Sequence, residues 1–321
     1  MSLFPQFDAD PPAQSARLAP RLRTLAGQGI SFGTSSWKYE GWLGSIYRKE
    51  RYTTRGKHSK KKFEETCLAE YAETFPTVCG DFAFYQFPTA ESWARLFDAT
   101  PADFRFAFKV PEEITVAVWP GHARYGARAG QWNESFLDAE LFDRHFARPL
   151  RRYQDRLATL IFEFGTFNKA TFPTAADFMA RLDPFLGTLP EGFRYGVEIR
   201  NPEYLSLEYF GLLATHNVAH VFNAWTRMPG LDEQATVPEA FTADFAVVRA
   251  LLQRGRLYEQ AVRLFEPYRE VQEPDEGARA GMVEIVNQSR RRKKPAFLFV
   301  NNRLEGNAPG TIEAVVGAIA P

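Results

Sequence analysis

A (β/α)8 TIM-like barrel, built as one large domain with long loops after its first and third strands, is the fold class this sequence predicts. Eight short apolar runs recur along the 321 residues, and helical patterns separate most of them. Within the runs, large apolar residues alternate with small or charged ones, most clearly in Phe104-Arg105-Phe106-Ala107-Phe108-Lys109. On a strand, alternate residues face opposite sides, so the phenylalanines share one face while Arg105, Ala107 and Lys109 share the other. Large groups directed outward to a ring of helices, with small and charged groups inward, suit a closed barrel. An open doubly wound sheet is the rival. It is weakened because no glycine-rich phosphate fingerprint follows the first run.

Taken in order, residues 1–29 read as a flexible N-terminal extension, rich in Pro and Asp at its start, with a short helix over Ser15–Ala26 where Leu18, Leu22 and Leu25 fall near helical spacing. The barrel domain then occupies 30–321. Its strands are predicted at Ile30–Ser36, Val78–Gln86, Phe104–Val110, Ala158–Gly165, Arg194–Asn201, Ala219–Ala224, Phe245–Ala250 and Pro295–Asn301. Helices are predicted at Phe63–Phe75, Thr89–Phe97, Asn133–Tyr153, Thr174–Leu186, Ser206–Thr215, Arg256–Tyr268, Glu276–Arg292 and Thr311–Ile319. Two connections exceed the usual few residues, Trp37–Lys62 and Pro111–Trp132. Both follow strands, which places them on the C-terminal rim, where barrels of this kind carry their chemistry.

Composition narrows the function classes. Lys plus Arg (39) equals Asp plus Glu (39), so no global field attracts polyanions. Two cysteines, Cys67 and Cys79, exclude a disulfide scaffold and a cysteine-based zinc cluster. No apolar stretch approaches the roughly 20 residues needed to span a bilayer, and Met1–Asp10 lacks the pattern of a secretory signal. The expectation is a cytoplasmic protein without a membrane partner. Charge is nevertheless uneven: Arg48–Lys62 holds eight Lys or Arg against the single acid Glu50, and Arg290–Lys294 forms a second basic run.

Several ordered motifs bear a family likeness. Gly33-Thr34-Ser35-Ser36-Trp37 with Trp42 and Tyr47, Phe84-Tyr85-Gln86-Phe87-Pro88, Phe104 to Pro111, Tyr195-Gly196-Val197-Glu198-Ile199-Arg200-Asn201-Pro202, Phe299-Val300-Asn301-Asn302 and Gly306-Asn307-Ala308-Pro309 together resemble the domain-of-unknown-function 72 family, also called YecE-like. The resemblance spans roughly residues 30 to 320. It implies a TIM-like barrel and no particular activity. In two places the chain departs from the family pattern: Cys79 stands where a Glu is usual, and Arg249-Ala250-Leu251-Leu252 replaces an Arg-x-His-Gly sequence.

The inward polar residues near strand ends supply the candidate site. Glu198 and Arg200 are two apart and share a face, as an ion pair or as a ligand grip. Lys109 closes the third strand and can bind an anion or neutralise Glu163 or Glu198. Glu163 and Glu198 form a carboxylate pair suited to acid–base work if their environments differ. Glu198, Glu163 and Lys109 are therefore the catalytic candidates. Trp37, Tyr85, Lys109, Arg200, Asn223, Arg249 and Asn301 are the ligand-binding candidates. Asp81 and Tyr85 are expected on one face of the second strand, with Asp81 the deeper. No metal and no cofactor is expected; only His122 with Glu163 and Glu198 has the make-up of a ligand set, since His216 and His220 flank the wrong end of a strand and His145 lies in a helix. Cys79 has no histidine near it to act as a nucleophile's base.

Two readings follow. The leading one is a barrel that binds a small anionic, phosphorylated or polyhydroxylated ligand at its C-terminal rim and can act on it by acid–base chemistry; the residues leave open whether it is an enzyme. The alternative is a nucleic-acid-binding or processing protein, with the Arg48–Lys62 loop and its Tyr47 and Tyr52 on the backbone phosphates and the aromatic third loop stacking a base.

Overall fold

The computed structural model describes residues 10–320. Eight parallel strands close into a barrel: β1 (Ile30–Thr34), β2 (Thr77–Gly80), β3 (Arg105–Lys109), β4 (Leu157–Phe164), β5 (Tyr195–Ile199), β6 (Ala219–Ala224), β7 (Ala246–Ala250) and β8 (Ala296–Val300). Each strand neighbours its successor in sequence, and β1 closes the ring by pairing β8 from Ile30↔Ala296 to Thr34↔Val300. This is the TIM-like barrel that strand–helix alternation demands, because parallel neighbours need a crossover between them.

Helices α1 (Ala13–Gly27), α2 (Lys60–Thr74), α3 (Ala90–Asp98), α4 (Ala175–Gly187), α5 (Leu207–Thr215), α6 (Tyr258–Phe265), α7 (Glu276–Arg292) and α8 (Ala308–Ala318) flank the strands. Most start at a polar residue whose side chain accepts from a backbone N–H one turn on. Ser59, Thr89, Ser206, Asp275 and Asn307 do this, and at α4 Thr174 and Asp177 cap each other reciprocally. Helix α1 buries Leu18, Leu22 and Leu25, and its Ser15 hydroxyl bonds that of Thr74 at 2.6 Å. The tail proposed before it falls mostly on residues 1–9, outside the described residues.

The core has two layers. Outside the strands, Phe106, Phe108 and Phe162 pack with Trp93, Phe97, Phe142 and Phe146 of the surrounding helices. Inside, Cys79, Ala107, Ile161, Val221, Val247, Phe297 and Phe299 fill the barrel. The expected rule of large groups outward breaks at β8, where two phenylalanines point in. Their register explains it: Phe297 lies beside Ser31 and Phe299 beside Gly33, so the small residues of β1 leave the room.

Two predicted elements change and one unpredicted element appears. The second strand stops at Gly80 instead of Gln86. The Phe84 N–H bonds the Asp81 carbonyl at 3.0 Å in a turn, and the Phe82 ring sits against Trp93 and Phe108 outside the barrel. The alternation of Asp81 to Tyr85 thus mimics a strand without pairing as one. The helix expected from Asn133 begins only at Ala139, capped by Asp138, because buried Asn133 donates to the carbonyls of Glu113 and Val116 and ties that segment to the loop after β3. A short helix, Leu231–Ala235, packs against α7 in a stretch without a periodic signal.

At the closure, a Cβ built on Gly33 would lie 2.1 Å from the Thr77 carbonyl oxygen of β2. Backbone cannot retreat there without opening the β1–β2 pairing. Gly33→Ala should therefore cost about 1–3 kcal/mol or more in urea unfolding, whereas Gly211→Ala, whose Cβ meets nothing within 4 Å, should be neutral or stabilising.

Candidate functional site

The inward positions of β3, β4, β5 and β7 end in Lys109, Glu163, Glu198 and Arg249, and Arg200 follows β5 by one residue. All five converge at the C-terminal mouth, although up to 140 positions separate them (249 − 109). Glu163 and Glu198 are paired in register on neighbouring strands, so their side chains lie next to each other. Arg249 reaches across the barrel, donating from Nη1 to Glu163 Oε2 at 2.5 Å and also to Glu198 Oε2. Arg200 joins the same two acids from above, with Nη2 3.0 Å from Glu163 Oε2 and 3.0 Å from Glu198 Oε1. Lys109 Nζ lies 3.0 Å from Glu163 Oε2.

Electrostatics follow from that geometry. Burial by itself would push the Glu163 carboxyl up, but Arg200, Lys109 and Arg249 outweigh it and hold the group well below the usual carboxylate range. Burial opposes the charge of Arg249 as well, and Glu198 and Glu163 reverse that, raising its pKa. Glu163 is thus locked as an anion and is a poor proton donor near neutral pH. Below the cluster, burial raises the Cys79 thiol to about 12, so it remains protonated and is no nucleophile.

Asp81 completes the set from the solvent side. It was expected deep in the second strand; since that strand ends at Gly80, Asp81 sits at the lip, its side chain 45% exposed. Its Oδ1 is 3.6 Å from Arg249 Nη2 and 4.0 Å from Lys109 Nζ, both looser than the inner pairs. Tyr85 leaves the barrel wall for the same reason. It is 60% exposed, with the Arg124 guanidinium 4.3 Å from its ring centre, and lies on a turn instead of the barrel wall.

Two aromatic neighbours escaped the sequence pattern. The Phe84 ring centre lies 3.7 Å from Lys109 Nζ and that of Trp225 3.8 Å from the Arg200 guanidinium. Strand phasing turns Phe84 outward, although the family motif Phe84 to Pro88 includes it, and nothing in the periodicity singles out Trp225, one residue past β6.

The remaining candidates divide. Asn223 is buried and donates to the carbonyls of Ile199 and Val221, bracing β5 to β6. Asn301 accepts from the Arg303 N–H and caps the turn of helix Asn302–Glu305. Trp37 and Asn301 line a groove beside the mouth. His122 accepts from the Arg124 N–H at a helical turn in the third loop. Among the described residues, no group of three or more His, Cys, Asp and Glu is placed to hold a metal. His220 faces outward among Tyr209, Phe210 and Phe222, and burial lowers its pKa to about 4.

The basic run Arg48–Lys62 is no single loop. Arg48 is buried against Glu70 and Glu73 at 2.8 Å each, and Arg51 pairs with Glu73 at 3.0 Å. Tyr47 and Tyr52 are buried around Phe63, with the Tyr52 hydroxyl donating to Glu70, so neither can stack on a base. In the third loop Trp119 and Tyr125 are buried too. Lys60 and Lys61 remain exposed at the start of α2, opposite Glu64 and Glu65. The run Arg290–Lys294 ends α7, where Arg290 bonds the carbonyl of Ala320.

The family described as "Protein of unknown function DUF72" matches residues 31–320. Protein YecE of Escherichia coli (strain K12) is 29% identical over 144 residues, which is 44% of this chain and 44% of that protein, so less than half of the relative's length is aligned. The barrel superposes on a DUF72 family crystal structure from Enterococcus faecalis V583 with a TM-score of 0.59 and 18% identity, covering 91% of this chain and 98% of that one. For one from Thermotoga maritima MSB8 the values are 0.59 and 20%, over 89% and 98%.

Removing Arg249 would leave two carboxylates buried side by side. Arg249→Met should cost on the order of 3–5 kcal/mol in chemical denaturation, against under about 1 kcal/mol for exposed Lys60→Gln. The acid limb carries a second expectation. With its folded pKa depressed, Glu163 contributes stability that is present above the unfolded carboxylate value and is lost as pH falls toward the folded one. The stability gap between wild type and Glu163→Gln should hold steady from neutral to about pH 5 and close below about pH 4; a gap that widens in acid would contradict the ion cluster.

Proposed function

Because the chain belongs to the DUF72 family, whose description assigns no activity, we propose its function from the geometry: it binds a small, hydroxyl-rich polar ligand at the C-terminal mouth of the barrel. The observation that carries this is the matched set of three cations and three carboxylates (Lys109, Arg200, Arg249; Asp81, Glu163, Glu198) gathered in the mouth. A bare anion entering there would compete with Glu163 and Glu198 for donors already satisfied at 3.0 Å or less. A hydroxyl has no such conflict, since it accepts from Lys or Arg and donates to a carboxylate in one contact. The outward members, Asp81, Lys109 and Arg200, form the gripping surface, and the rings of Phe84 and Trp225 hold Lys109 and Arg200 in place.

Any proton handling at this mouth falls to Asp81. It is the acid open to solvent, and its contacts at 3.6 and 4.0 Å are the ones a ligand can replace without unpairing a buried charge. Glu163 and Glu198 then act as the rigid seat that orients Arg200 and Lys109.

Thermal unfolding in the presence of monosaccharides and polyols tests the reading. A true ligand at a hundredfold excess over its Kd should stabilise the chain by about 2.7 kcal/mol. Asp81→Asn and Arg200→Gln should each abolish that shift, while the triple variant Lys60→Gln, Lys61→Gln, Lys62→Gln keeps it. The opposite pattern, a steeply salt-dependent affinity for oligonucleotides that disappears in the triple variant, would instead support backbone-phosphate binding.

A further inference from the structure

Beside the mouth, a groove of about 820 Å³ runs outward between α2 and α3 and past the end of β8. Ser35, Asp81 and Asn301, at the ends of β1, β2 and β8, form its inner end, so it opens from the mouth itself. Tyr39 lies between the two, near enough to both Arg303 and Asp81 for each charge to act on its hydroxyl.

Charges in the groove are not paired with one another as those in the mouth are. Three cations line it, Lys38, Arg95 and Arg303. Among the described residues, none of them makes an ion pair within 4.0 Å. The same walls carry three acids, none of them paired with these cations: Glu64 and Glu65 face Lys60 and Lys61 in exposed contacts at 3.8 and 4.0 Å, and Asp81 faces Lys109 and Arg249. Arg303 stands out among the three. Its guanidinium lies 4.4 Å from the centre of the Tyr258 ring, and its Nε is buried without a hydrogen-bond partner. The Ser35 hydroxyl, 2% exposed at the inner end, is likewise unpartnered. Phe82 and Tyr258 are large apolar side chains left open to solvent, 39% and 45% exposed, and both line this groove.

Cations that lack an ion pair, Arg303 held by Tyr258 and Tyr268 among them, beside partly exposed rings are the complement of an anion joined to a ring. We infer that the groove is a second arm of the binding site, one that takes the phosphate of a phosphorylated ring compound. Arg303 holds the phosphate with its planar fork of donors, Lys38 and Arg95 supply the surrounding positive field, and Tyr258 and Phe82 flank the ring. The inference rests on the mouth reading only for the ligand's hydroxyl-bearing end. It also divides the labour: the inner cations orient hydroxyls and the outer ones carry the anion. A sugar phosphate and a nucleotide share this chemistry.

Isothermal titration of the full chain with glucose, glucose monophosphate, adenosine and adenosine monophosphate separates the two sources. At least one phosphorylated probe should bind about tenfold or more tightly than its parent, the worth of a charge-assisted hydrogen bond. Arg303→Gln should erase that preference with the ligand-free melting temperature unchanged, and Arg303→Lys should restore part of it. Should the preference survive in Arg303→Gln, or be missing from both pairs of probes, the groove is no phosphate arm. Failure of the mouth reading looks different: Asp81→Asn and Arg200→Gln would leave every affinity untouched while the dependence on Arg303 stands.

Discussion

One guanidinium holds the centre of this protein. Glu163 and Glu198 are neighbours in register on β4 and β5, at the same level inside a closed barrel. Two carboxylates so placed cannot both remain ionised in a buried site unless a cation bridges them. Arg249 does so from the far wall, with Arg200 and Lys109 closing the cluster above. The inward pointing of β4, β5 and β7, the choice of charged residues at their ends, and the balance of the mouth all depend on this crossing.

The balance extends to a departure from the family pattern. The resemblance implies a glutamate at position 79 in most members, where this chain has a cysteine buried among the inner residues beneath Arg249. A fourth carboxylate at that depth would set four acids against three cations. A protonated thiol leaves the count even and lets Arg249 serve Glu163 and Glu198 without competition. Where the resemblance implies an Arg-x-His-Gly sequence, Leu251 and Leu252 are buried with Ala261 and Phe265, so these two positions after β7 pack on α6 and add no titrating group to the mouth.

Chemistry at the rim is thereby sorted by depth. Inside, charges are paired, rigid and costly to disturb, which suits orientation better than turnover. At the lip, Asp81 is loosely held and exposed. Beyond it, in the groove, Lys38, Arg95 and Arg303 share the walls with Glu64 and Glu65 without pairing with them, beside the partly exposed rings of Phe82 and Tyr258. On the proposed reading, a ligand moving from solvent to the barrel axis would meet the groove that we assign to its phosphate first and the mouth that we assign to its hydroxyls last.

Period and spacing in the sequence determined the barrel, the strand order and the inward set Lys109, Glu163, Glu198 and Arg249, because a two-residue alternation and a strand end are local properties of the chain. They do not distinguish a pairing strand from its imitation after Gly80, where the same alternation leads Asp81 to the lip and Tyr85 onto an exposed turn. Nor could they show that Arg48, Arg51, Tyr47 and Tyr52 are consumed by Glu70, Glu73 and Phe63. Which charges are neutralised and which remain open is a matter of partners far apart along the chain, such as Arg249 and Glu163, and only the tertiary fold brings those partners within bonding distance.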